Sequence, residues 1–240
     1  MSVHLVGGGT DAAHAASVYA PFLAEAAEVA GRAGAERARI AVLLVADGPD
    51  AGSQAAYWRD LLGSIADVEP VVTVVPEDGA FEAAALAGAH GVLVGGGRTP
   101  AYRSAAEPVA GELRRRVAAG EPFLGYSAGA SIASDAAILG GWRIGEVPVA
   151  PRSAGEGLEE VVVEAGIGLV DLSIDCHAAQ WGTLTRLIAA TEAGLVGGGI
   201  AIDEDTLFSI GASGLRVAGA GTVWSVGAGE DGVTVRSISG

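Results

Sequence analysis

ARIAVLLVA, residues 38–46, carries one charge, Arg39, in an otherwise apolar run. A strand with one face in water alternates polar and apolar residues. A run that is apolar on both faces belongs to a strand covered on both sides, as in the parallel sheets of α/β proteins. Outward from it lie four more short apolar strands: VHLV (3–6), PVVTVV (70–75), HGVLVG (90–95) and PFLG (122–125). Alanine-rich stretches separate them, with helices predicted near 15–33, 53–65 and 101–119 and FEAAALAGA (81–89) after the third strand. This alternation predicts an α/β fold: a mainly parallel central sheet with helices on both faces.

After about residue 140 the rhythm changes. GGWRIGEVPVAPRSAGEG (140–157) is rich in Gly, Pro and charge and reads as a loop or hairpin insertion. LSIDCHAAQWGTLTRLIAATEAG (172–194) returns to strand, short loop and helix. The segments 199–210, 215–226 and 233–238 read as short antiparallel strands joined by turns. Neither a repeat nor a linker divides the chain, so residues 1–240 are expected to form one α/β domain.

Half of the 240 residues are hydrophobic and 18% are charged, as in a folded globular protein. No apolar run reaches the length of a membrane span, and the start lacks a signal-peptide pattern. A single cysteine rules out an internal disulfide and fits a reducing, cytoplasmic setting. The net charge of −15 argues against nucleic acid or an anionic membrane as partner. Every basic residue is arginine, which excludes Schiff-base chemistry, Ser-Lys dyads and the P-loop lysine. One cysteine and four scattered histidines give no metal-ligand spacing, so no metal is expected.

Three glycine-bearing segments follow apolar strands. Gly7, Gly9 and Ala12 match G-x-G-x-x-A, the dinucleotide fingerprint, but Asp47, the acid ending the second strand, lies far beyond the required spacing of about 20 residues. A tight strand-to-helix turn explains the same glycines. Gly95–Gly97 ends another buried strand, where backbone N–H groups can bind an oxyanion or merely close a turn. Gly125-Tyr126-Ser127-Ala128-Gly129 matches G-x-S-x-G, the nucleophile elbow, in its confirming context of strand before and helix after. A serine on so sharp a turn needs small neighbours, and Gly125, Ala128, Gly129 and Ala130 supply them.

A serine nucleophile needs a base. His4 and His14 fall inside the first strand and helix, and His90 starts a strand at the edge opposite the site. His177 ends a strand on the correct edge and is selected by elimination, a surface histidine being the other reading. Cys176 beside it points to the opposite face of an extended strand and reads as a buried, inert thiol.

Taken in order, GGG…GYSAGAS…DCH…RL…GIAIDEDT resembles the cyanophycinase and dipeptidase E serine peptidases, relatives of the class I glutamine amidotransferase-like (flavodoxin-like) fold. The likeness runs from LVGGG at 5–9 to AIDEDT at 201–206 and is carried most by VGGG at 94–97, G-x-S-A-G-A at 125–130 and D-x-H at 175–177. The resemblance implies that Ser127 attacks a peptide carbonyl, that His177 takes its proton, and that N–H groups of Gly96, Gly97 and Ala128 hold the oxyanion. It implies exopeptidase-like action on short acidic peptides or β-aspartyl linkages, no cofactor, and a homodimer. Its third catalytic residue is an acid between the serine and the histidine: Glu146 first, Asp135 as the alternative. Asp175 would shape the pocket.

Departures from the pattern concentrate after the histidine. DCHAAQWGTLTR (175–186) places Cys176, Ala178, Trp181 and Thr183 where the family has Gln, Phe and two arginines, and keeps Arg186. Arg98-Thr99-Pro100 replaces a polar residue after the second glycine loop, where Arg98 either pairs with a substrate carboxylate or is solvated. Arg98, Thr99, Asp175 and Arg186 are therefore the expected substrate-binding residues. An altered pocket around an intact serine and histidine implies the same reaction on another substrate, or a ligand-binding relative that has lost catalysis. Cyanophycin itself fits poorly.

Overall fold

A computed structural model describes residues 2–46, 48, 50–212 and 214–238. Asp47, weighed above as the acid of the dinucleotide fingerprint, lies outside the described residues. The first half alternates as expected: β1 (Val3–Val6), α1 (Ala15–Arg32), β2 (Ala38–Val45), α2 (Asp50–Ile65), β3 (Val68–Val75), β4 (Gly91–Val94), α3 (Thr99–Ala106), α4 (Ala110–Ala118) and β5 (Phe123–Tyr126). β1, β5, β4, β2 and β3 lie side by side and parallel. Both faces of β2 are covered: Ile40, Val42 and Leu44 meet Phe22, Trp58 and Leu62 of α1 and α2, while Ala41, Leu43 and Val45 share the opposite core with Tyr102 and Leu113 of α3 and α4.

Two predicted helices come out differently. FEAAALAGA forms only a 3₁₀ turn at Ala83–Leu86. The stretch 101–119 is broken into α3 and α4 by a 3₁₀ turn at Glu107–Val109, because Pro108 has no N–H to continue the ladder.

The second half holds α5 (Ala128–Ser131), β6 (Ala136–Gly140), the short hairpin β7 (Arg143–Ile144) and β8 (Val147–Pro148), β9 (Val162–Ala165), β10 (Ser173–Cys176) and α6 (Leu184–Glu192). It ends with β11 (Gly198–Ile202), β12 (Thr206–Gly211), β13 (Gly214–Gly219), β14 (Val223–Gly229) and β15 (Gly232–Ile238). β12 and β13 extend the central sheet antiparallel beside β1. β10, β11, β14 and β15 form a second, four-stranded sheet, in which β10 and β11 are parallel and the other pairings antiparallel. Ile174, Ile200 and Ile202 of this second sheet join Val3, Leu5 and Phe123 of the first in one apolar core. The last strand of the parallel core and the first of the second sheet, β5 and β10, thereby end close together.

Candidate active site

Ser127 leaves the end of β5 with φ 51° and ψ −110°, a backbone conformation that a non-glycine residue adopts at a cost of roughly 1–3 kcal/mol. Its neighbours explain how the turn closes. A methyl group at Gly125 would overlap the carbonyl oxygen of Gly129, and one at Gly129 would overlap that of Val94. The Gly129 N–H donates to Gly95 O at 2.9 Å, tying the elbow to the second glycine loop. The helix after the serine is a single turn, α5, so a helix dipole adds little here.

The register of β10 and β11 sets the opposite side. Cys176 lies across from Ile202, so the residues that follow the two parallel strands leave by one edge. Those residues include His177 and Glu204. His177 Nε2 is 2.8 Å from Ser127 Oγ, and His177 Nδ1 is 2.7 Å from Glu204 Oε1. With Glu204 ionised, Nδ1 carries the proton and Nε2 is left to accept from the serine hydroxyl. The His177 N–H donates to Gly7 O at 3.0 Å, and the bare Cα of Gly8 abuts the ring at Cε1, where any side chain would overlap it. Burial pushes the His177 pKa below its usual 6.5, against the opposing pull of the Glu204 carboxylate. The imidazole is therefore neutral, and able to accept a proton, at pH 7.

Glu146, expected as the acid, is not in this chain of contacts. It lies exposed at the tip of the β7–β8 hairpin, held away by that two-residue turn. Asp135 is exposed beyond α5, where its N–H donates to Val170 O. The acid that reaches His177 comes after the histidine, from within GIAIDEDT. In the sequence it is one of three consecutive acids, Asp203, Glu204 and Asp205, that follow a second short apolar strand, and no local feature singles it out.

Gly96 borders the nucleophile so closely that a methyl group there would come within 2.9 Å of Ser127 Cβ. The N–H groups of Gly96, Gly97 and Ala128 donate no hydrogen bond among the described residues. Tyr102 holds the loop by donating its hydroxyl to Gly96 O at 3.1 Å.

The expected substrate-binding residues divide. Arg98 is exposed and pairs with Glu77 at 2.6 Å. Thr99 is buried at the start of α3 and donates its N–H to Glu156 Oε2 at 3.3 Å. Asp175 and Arg186 face each other instead of the cleft. Arg186 Nε and Nη2 donate to the two carboxylate oxygens at 2.8 and 2.7 Å, and Nη1 donates to Gly141 O and Ala154 O. At 2% and 5% exposure this pair fastens β10 and α6 to the insertion, which corrects the expectation that it binds substrate.

The remaining candidates are accounted for by packing. His4 meets Ser209 and Glu25 within the first strand, and His90 Nδ1 accepts from the Arg39 N–H. Burial pushes the Cys176 thiol up to about 12, so it stays protonated. Close packing accounts for the glycines of the first loop: Gly8 lies against the His177 ring, and a methyl group at Gly7 would overlap the Asp203 carbonyl. Beside His177 an open groove of about 540 Å³ is lined by Pro151, Ser153, Ala179, Gln180, Trp181 and Gly182.

Solved structures resemble this arrangement as a whole. A peptidase from an acI-B1 Actinobacterium superposes with a TM-score of 0.57 at 17% identity, covering 100% of this chain and 96% of that one. The chain shares the fold of that protein. A "Putative Peptidase E Protein" from Listeria monocytogenes EGD-e superposes with a TM-score of 0.52 at 14% identity, covering 92% of this chain and 98% of that one. No protein-family model matches the sequence, and no curated protein does either. Among the described residues no helix is long and apolar enough to cross a membrane.

Proposed function

We propose that the chain is a serine hydrolase that cleaves the amide bond of a short peptide through an acyl-enzyme on Ser127. The observation that carries this reading is the unbroken Ser127–His177–Glu204 hydrogen-bond chain on a strained elbow. Ser127 Oγ bonds to the carbonyl carbon while its proton passes to His177 Nε2 and the carbonyl π electrons move to oxygen. The N–H groups of Gly96, Gly97 and Ala128 are the donors that meet this oxyanion. As the C–N bond breaks, the Nε2 proton goes to the leaving amine. Water then hydrolyses the acyl-serine with His177 again as base. Glu204 stays ionised throughout and orients the ring. The two similar structures are of peptidases, which favours peptides over other acyl compounds.

The test is covalent. A fluorophosphonate probe is expected to label Ser127 in the wild type and leave Ser127→Ala unlabelled, and a peptide library is expected to show cleavage that the same substitution abolishes. A folded wild type that neither reacts nor cleaves would favour the ligand-binding reading, for which the departures at 176–183 are the motive.

A further inference from the structure

We infer that Trp181 is a positioning residue for this reaction: its indole stacks on the His177 imidazole, fixes the ring plane and favours the imidazolium that forms as Ser127 loses its proton. The inference rests on the hydrolase reading and adds to it a residue that stands outside the Ser–His–Glu chain. The two ring centroids are 3.8 Å apart and the planes differ by 8°. The stack is built in rather than incidental. The Trp181 N–H donates to His177 O at 2.8 Å, closing a turn that places the two side chains on one side. That turn is tied to the segment carrying the acid: the Ala179 N–H donates to Asp203 Oδ1, and Gln180 Oε1 accepts from the Glu204 N–H at 2.9 Å. Thr183 Oγ1 closes it from below by donating to Cys176 O at 2.6 Å. Ring, indole and carboxylate are thus held by one set of hydrogen bonds.

The chemistry follows from the two protonation states. An aromatic face attracts a cation through its quadrupole, most strongly for indole, and does little for a neutral ring. The stack therefore strengthens when His177 becomes charged, and stabilisation that grows toward the transition state accelerates the step. The charged groups acting on the ring are Glu204 at Nδ1 and Asp175 on the strand before it, which favour the cation, and Arg186, which disfavours it. Asp205, beside Glu204, accepts from the Asp11 N–H instead. The Gly7–Gly9 loop and the elbow at Ser127–Ala128 present no charged side chain. Trp181 is 42% exposed, so its loss leaves no buried hole and the variants are expected to fold.

The experiment is an NMR titration of the His177 Cε1–H resonance, assigned with His177→Gln, in the wild type, Trp181→Leu and Trp181→Phe. Leucine keeps an apolar cover but removes the π face, and the His177 pKa is expected to fall by about 0.5 unit, with phenylalanine restoring most of it. A leucine that merely let in water would move the pKa the other way, because hydration favours the charged ring. An unchanged or raised value in Trp181→Leu, or identical values for Leu and Phe, would overturn the inference. Fluorophosphonate labelling of Ser127 at pH 8 is expected to slow about three- to tenfold in Trp181→Leu and to recover in Trp181→Phe. The titration reads the imidazole whether or not Ser127 reacts. A wild type that fails to label therefore counts against the hydrolase reading, and a flat titration counts against Trp181.

Discussion

At Glu204 one hydrogen bond decides which nitrogen of His177 holds the proton. Replacing the carboxylate by an amide keeps the shape but lets the side chain donate toward Nδ1, which favours the wrong tautomer. Glu204→Gln is expected to slow Ser127 labelling by roughly 10²–10⁴-fold with little change in unfolding midpoint, whereas Glu146→Gln leaves both unchanged. Equal effects of the two substitutions would remove Glu204 from its assigned role. The same residues fix a pH dependence. Because burial lowers the His177 pKa, the ring is neutral above it and protonated below it. Labelling is expected to be flat near neutrality and to fall in acid with an inflection below 6.5; an inflection at or above 6.5 would contradict the burial argument. Ser127 and His177 were legible in the sequence because each is announced by its own local context, strand end and small neighbours. Glu204 was visible only as part of GIAIDEDT, since what makes it the acid is the register of β11 against β10, a pairing between segments about a helix apart that no local pattern encodes.

At the scale of elements, the parallel core was readable for the same reason that it is stable: strands covered on both faces must be apolar throughout, and β2 is. The second sheet was not. Its strands are short, and nothing within SIDC or GIAI tells that the two pair in parallel in a sheet of their own. What fastens that sheet near the elbow is the buried Asp175–Arg186 pair, which bridges β10, α6 and the insertion carrying Gly141 and Ala154. Removing one partner leaves the other charge buried and unpaired. Arg186→Ala is expected to lower stability by about 3–5 kcal/mol in urea unfolding monitored by circular dichroism. A loss below about 1 kcal/mol would mean that the pair is solvated and would reopen a direct role in substrate binding. The family pattern that drew attention to Arg186 is thus compatible with a position kept for support, not for contact.

Over the whole molecule the excess of acid is the dominant long-range property. The formal charge is −15, and among the described residues ten of the 14 arginines, Arg98 and Arg186 among them, sit within 4 Å of a carboxylate. Those pairs neutralise one another locally and leave the surplus carboxylates uncompensated; Asp11, Glu204 and Asp205 stand on the loops around the proposed nucleophile. At about 10 mM salt the Debye length is roughly 30 Å, enough for the charge of the entire chain to act on a molecule entering the cleft, whereas at 0.15 M it is about 8 Å. A substrate's own charge therefore decides the sign of the salt effect. For two fluorophosphonates differing only in a terminal carboxylate or ammonium group, raising NaCl from 10 to 200 mM is expected to change the labelling rate of Ser127 about threefold in opposite directions. The anionic probe speeds up and the cationic probe slows down. Parallel slopes would show that the net charge does not reach the site. Rejection of the anionic probe relieved by salt would also bear on the substrate: acidic peptides, which the sequence resemblance implies, would meet a repulsive field here, and neutral or basic ones would not.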